Sequence, residues 1–101
     1  MLVLPTELTH AQARACLDVL LAAARMHREP LVVVDATALT RFDSSALAVL
    51  LAVRRECLLD GRQLATAGMA PRLRQLAGLY GVSALLPELQ QAADELAAPT
   101  A

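Results

Sequence analysis

The apolar positions of the chain fall into runs of two different periods, and their alternation predicts the fold. Leu2 to Leu4 is a short apolar run turned by Pro5, which predicts a strand. Thr9 is a good helix N-cap residue. From about His10 to His27 apolar residues recur at three-to-four spacing (Ala13, Cys16 or Leu17, Leu20 or Leu21, Ala24), while Gln12, Arg14, Asp18 and Arg25 fall mostly elsewhere. That pattern predicts an amphipathic helix with one buried face. After Pro30, the continuous aliphatic run Leu31 to Val34 suits a central strand covered on both faces, as in a parallel sheet.

A polar connection, Asp35 to Asp43, leads into a second helix from Ser44 or Ser45 to about Leu59, closed by the turn residues Asp60 and Gly61. Arg62 to Ala67 predicts the next strand and Gly68 to Ala70 a loop. Pro71, at a first helical position, opens a third helix to about Leu79. Tyr80 and Gly81 break it, Val82 to Leu86 holds a short strand or turn, and Pro87 begins a last helix from Glu88 to Leu96. The stretch Ala97 to Ala101 reads as a frayed tail. Strand and helix alternate throughout, so the expected fold is α/β: a small, mostly parallel sheet of three to four strands carrying about four helices. The 101 residues are expected to form one domain with its core in about residues 2–96.

Composition narrows the function classes. The chain is 56% hydrophobic but only 2% aromatic, so Leu, Val and Ala must build the core, and Phe42 and Tyr80 offer almost no stacking platform for bases. A net charge of −1 gives no field that would steer nucleic acid or an anionic membrane to the protein. Cys16 and Cys57 sit in helix-like apolar stretches without metal or disulfide spacing and read as reduced core thiols. The start MLVLPTEL lacks the basic-then-apolar order of a signal peptide. The longest charge-free apolar stretch, Ser44 to Val53, is half of what crosses a bilayer. A cytoplasmic protein is expected. No His, Cys or carboxylate cluster has metal spacing, and the four glycines form no phosphate loop, so no metal or cofactor is implied. A hydrolase would have to use Ser44 with His10 or His27 and Asp35. Ser44 lacks the small neighbours of a nucleophile elbow, since Phe42 and Ala46 stand in their place. The two histidines lie at opposite ends of one helix, about 25 Å apart.

The informative segment is Val34 to Leu51. A buried strand ends at Asp35, and a polar loop delivers Asp43, Ser44 and Ser45 to the start of an apolar helix. In open α/β sheets, ligands and partners are met beyond the carboxyl ends of the strands, where this loop lies. Unpaired backbone N–H groups at the helix start stabilise an oxygen there, so Asp43 or Ser44 is expected to cap the helix whatever else it does. The second helix is apolar on more than one face. Leu47, Leu50, Leu51 and Leu58 can face the sheet, which leaves Val49, Ala52 and Val53 over. Surplus apolar surface rimmed by charge is what an interface looks like, unless the third helix covers it.

Asp35 at a strand end, followed by Phe42-Asp43-Ser44-Ser45-Ala46-Leu47 leading into an apolar helix, resembles the central motif of the STAS domain family. The family pattern is Asp-Ser-Ser/Thr-Gly-Leu, with Ala46 here in place of the glycine. Asp60-Gly61-Arg62-Gln63-Leu64 resembles the family's turn into its next strand. The segment Arg74 to Val82, with Leu85-Leu86-Pro87 after it, is more similar to the STAS subunit of the bacterial Mla phospholipid-transport complex than to the anti-sigma-factor antagonists. The resemblance implies a non-catalytic binding module. Its partner would be the cytoplasmic ATPase of an ABC-type phospholipid transporter, reached at the inner membrane only through that complex. The second reading is an anti-sigma-factor antagonist that meets an anti-sigma factor and a serine kinase, with Ser44 as the phosphorylated residue and Ser45 beside it. The expected contact patch is Asp43, Ser44, Ser45, Ala48, Val49 and Ala52, with Arg55 at the rim. The family usually starts with one more edge strand. Either that strand is missing, which leaves an open edge that a second copy of the chain could fill, or the gene start is truncated.

Overall fold

Parallel neighbours in a sheet need a crossover between them, and this chain supplies a helix for each. The computed structural model describes residues 1–90 together with Ala92 and Asp94. Its strands are β1 (Leu2–Val3), β2 (Glu7–Leu8), β3 (Leu31–Asp35), β4 (Arg41–Phe42) and β5 (Gln63–Ala67), and its helices are α1 (Ala13–Met26), α2 (Ser45–Leu59) and α3 (Pro71–Leu79). The sheet order is β1-β3-β5, all parallel, with Leu2 beside Val34 and Val32 beside Leu64. A second, two-stranded parallel pair joins β2 to β4. This is the α/β architecture that the alternation predicts, although the strands divide between two sheets.

Register explains where the core sits. Leu2, Val32, Val34, Leu64 and Thr66 share one face of the sheet and are buried. Right-handed crossovers running in one direction across the sheet put α1 and α2 on the same face, where Leu20, Ala24, Leu50 and Val53 meet those residues. On the other face Leu31 and Val33 are half-buried and Val3 is exposed, so β3 is not covered evenly on both sides as its unbroken aliphatic run suggested. The core is aliphatic, with Leu2, Leu4, Leu8, Leu50, Leu73, Val34 and Val53 among its fully buried members. Cys57 is buried and Cys16 half-buried, both are free thiols, and burial pushes both up from their ordinary values.

Two local expectations are corrected and one alternative is decided. Thr9 does not cap α1: its backbone N–H and hydroxyl both donate to Gln12 Oε1 (2.8 and 2.7 Å), which folds His10 to Gln12 into a turn and delays the helix to Ala13. Of the two readings of Val82 to Leu86 the structure selects the turn, a 3-10 turn at Ser83–Leu85. Arg62 belongs to no strand; its side chain is buried at the end of α1. Beyond the 3-10 turn, Thr66 N–H donates to Pro87 O (2.8 Å), Leu89 and Gln90 are helical, and Ala92 N–H donates to Glu88 O (2.9 Å). The expected end of that helix at Leu96 and the tail 97–101 lie outside the described residues. Among the described residues β1 is itself an edge of the three-stranded sheet.

Candidate functional site

The pole at the carboxyl ends of β3 and β5 is built from backbone held at close quarters. Asp35, the last residue of β3, accepts hydrogen bonds on Oδ1 from the Thr37 hydroxyl and N–H (2.9 Å for the latter), and these two donors hold its carboxyl below the usual carboxylate range. Ala36 N–H reaches Ala67 O (2.7 Å) across to β5. Gly68 follows with φ +71°, and a Cβ there would lie 2.2 Å from Thr37 Oγ1, so only glycine lets the two loops approach. The chain then runs back past Thr6, whose carbonyl accepts from Thr40 and Arg41 N–H (2.9 and 3.1 Å), and pairs β4 with β2. Phe42 is half-buried with the Arg72 guanidinium 5.6 Å from its ring centroid, which ties the start of α3 to this loop.

Asp43 is the hinge of the site. Its Oδ1 accepts Ser45 N–H (2.8 Å) and its Oδ2 accepts His10 N–H (3.1 Å), so one exposed carboxylate caps α2 and fastens the turn that leads into α1. The Ser45 amide first, then that of His10, holds its pKa below the ordinary value. Between the two candidate caps the structure selects Asp43, because Ser44 makes no side-chain capping bond. The Ser44 side chain, relieved of that duty, is exposed at the very tip of α2, while Ser45 is half-buried.

Down the outer line of α2, Ala48 and Arg55 are exposed and Ala52 is half-buried. Val49 and Val53 are buried, at 3% and 0% exposure. Both were expected to be surplus apolar surface, and Val49 a partner contact; that expectation is corrected. α1 packs along the flank of α2, with Ala13, Arg14 and Leu17 beside Val49. A shallow cleft of about 270 Å³ lies between the two helices, lined by His10, Ala13, Arg14, Leu17, Ala48 and Val49. Leu58, expected to face the sheet, is 40% exposed, because the last turn of α2 runs on to the Asp60–Gly61 turn. The structure therefore brings together Asp43, Ser44, Ser45, Ala48, Ala52 and Arg55 on one surface and removes Val49 from it.

Sequence reasoning missed the Arg72–Phe42 contact and the link from His10 to Asp43. Nothing local signals the second, since it joins residues far apart in the chain through a backbone amide. Two of the groups weighed for hydrolysis are engaged elsewhere: Asp35 on Thr37, and His27 beyond the far end of α1, where its ring lies 3.7 Å from Glu29. Among the described residues no group of three His, Cys, Asp or Glu could hold a metal ion, and no helix is long and apolar enough to cross a membrane. A family model described as "Mlab, STAS domain" matches residues 1–98. No curated protein matches the chain.

Proposed function

Because the chain belongs to the STAS domain family, whose members act through protein–protein contacts, we propose that it is a non-catalytic subunit that binds and supports the cytoplasmic ATPase of a Mla-type phospholipid ABC transporter. On this reading it is cytoplasmic and meets the inner membrane only through that complex. The observation that carries the reading is the exposed Ser44 at the tip of α2, standing on a loop that Asp43 fixes from both sides. Below it Ala48 and Ala52 present small side chains, which let a partner backbone come close, and Arg55 supplies a charge at the rim. The Mla description of the matched family supports the transporter over an anti-sigma-factor antagonist.

The test is capture from a native lysate with the parent chain and with Ser44→Arg and Ala48→Arg. The parent is expected to retain an ATPase with P-loop motifs. Both variants are expected to lose it while their melting temperature stays close to the parent's, since exposed substitutions change stability by no more than about 0.5 kcal/mol. Recovery of an anti-sigma factor, or phosphate transfer to Ser44 by a copurifying serine kinase, would overturn the transporter reading. Undiminished ATPase binding by both variants would remove the contact from α2.

A further inference from the structure

The cleft of about 270 Å³ between α1 and α2 is an apolar hollow beside the Ser44 tip. Short side chains make it: Ala13 on α1 and Ala48 on α2 leave unfilled the space that longer residues would close. Leu17 is half-buried along its wall, and Val49, 3% exposed, closes the floor. His10 and Arg14, both exposed, border it. Ala48 belongs equally to the outer line of α2 that starts at Ser44, so cleft and tip form one continuous surface. Asp43 fixes the geometry of both. Its carboxylate accepts Ser45 N–H at the start of α2 (2.8 Å) and His10 N–H in the lead-in to α1 (3.1 Å). The two helix starts are thereby held at one separation before any partner arrives, and a pocket already in its bound shape lowers the ordering cost of association.

Resting on the proposed contact at Ser44, we propose that this cleft is the anchor pocket of that interface. It takes one large apolar side chain, aliphatic or aromatic, from the partner segment that covers Ser44. Size selects a single side chain. The cleft is smaller than the pockets of about 300–1,000 Å³ that enclose small molecules, and a helix about 10 Å across could not enter it. Chemistry selects an apolar one. Small-molecule sites converge several polar groups on the ligand, whereas here the polar side chains stand only at the border. Among the described residues no buried side-chain donor or acceptor lacks a partner, so nothing in the floor calls for a polar group. An apolar pocket ringed by polar residues is the form that the strongest contacts of protein interfaces take: the anchor fills the pocket while the ring keeps water out. Ser44, His10 and Arg14 supply that ring.

Titration of the full chain with the P-loop ATPase retained in the capture experiment tests the proposal through Ala13, which lines the cleft from α1 and not from the helix that carries Ser44. Ala13→Val and Ala13→Leu fill the hollow in two steps and keep it apolar. The Kd of the complex should rise severalfold with Val and by about tenfold or more with Leu, at an unchanged or higher melting temperature. A flat apolar contact would respond in the opposite sense, because both variants add apolar surface to it. Ala13→Val decides the matter alone if Ala13→Leu fails to fold. Parent-like or tighter binding by the Ala13 variants, with binding abolished by Ser44→Arg, would overturn the anchor pocket and leave the Ser44 contact standing. Undiminished binding by both Ser44→Arg and Ala48→Arg would overturn the two together, as would a parent chain that captures no ATPase. Self-association of the chain that Ala13→Leu abolishes, with ATPase binding unchanged, would give the cleft to a second copy and overturn the proposal as well.

Discussion

The two long helices α1 and α2 carry similar numbers of apolar residues and dispose of them in opposite ways. In α2 six residues are buried, Ala46, Leu47, Val49, Leu50, Val53 and Cys57, whereas α1 buries only Leu20 and Ala24. The cause is position in the sheet. The crossover α2 joins the central strand β3 to β5, whose Thr66 is bridged in turn by Glu88, while α1 crosses from β1, whose outer side has no strand beside it among the described residues. An apolar surplus on the inner helix is therefore absorbed, and one on the outer helix is left facing out. Hydropathy counts the surplus; the neighbours decide where it goes.

The largest effect that sharpens this contrast is in the core. Leu50→Ala on α2, at a site with no exposure, should cost about 2–5 kcal/mol, and Val19→Ala on α1 no more than about 0.5 kcal/mol. For a domain of this size each kcal/mol moves the melting temperature by roughly 4–8 °C, so scanning calorimetry on monomeric samples separates the two at once. Equal losses at both sites would mean that α1 is covered as deeply as α2, and the contrast would be broken.

Much of the architecture was legible because strand and helix periods differ so plainly. The parallel order follows from alternation, and the run Leu31 to Val34 marked the central strand without ambiguity. The exposed tip of α2 was legible too, but Arg41 and Phe42, inside the expected connection, pair with Glu7 and Leu8 as β4 and β2, and two-residue strands carry no period that a sequence pattern could show. The identity of the covered residues on α2 was not. Val49 and Ala48 are adjacent, similar in character and one helical step apart, and only the placement of α1 makes the first core and the second surface. Thr9 misled for a comparable reason: its hydroxyl found the Gln12 side chain, a local competitor that the capping pattern does not weigh. The burial of the Arg62 side chain gave no signal, because two of its three acceptors are backbone carbonyls at the far end of α1.

That arginine offers the next effect. Its guanidinium donates to Ala24 O (2.9 Å) and His27 O (2.7 Å) and reaches Asp60 Oδ2 (3.2 Å), so the carboxyl end of α1 is closed by the residue that precedes β5. The end of α2 is closed by its own chain, with Gly61 at φ +71° and its N–H on Leu58 O (3.0 Å). Arg62→Met keeps the volume and removes the donors, leaving the last carbonyls of α1 short of partners, and should cost about 1.5–3 kcal/mol. Hydrogen exchange should quicken in the last turn of α1 and stay unchanged at the end of α2. Uniform acceleration across both helices would show that Arg62 supports the whole fold and not α1 in particular.

The smallest effect concerns the amino ends. The first turn of α1 contains no acidic residue and its capping residue, Gln12, makes no side-chain bond to that turn, whereas α2 starts on the Asp43 carboxylate, which also holds the lead-in to α1 through His10 N–H. Both amides favour the charged form, so the folded pKa of Asp43 lies below its unfolded value. A depressed folded pKa contributes stability that is present above the unfolded pKa, near 4, and is lost as the pH falls through the folded value. Asp35 behaves in the same sense through Thr37, so the parent chain should lose melting temperature on acidification below about pH 4 from both sites. Asp43→Asn keeps an oxygen for Ser45 N–H but removes the charge. It should lower the melting temperature slightly at pH 7 and flatten, without abolishing, the fall at low pH, as thermal melts across that range would record. An unchanged acid slope would mean that Asp43 holds the two helix starts together by shape alone, and acid would then leave the seam between α1 and α2 intact.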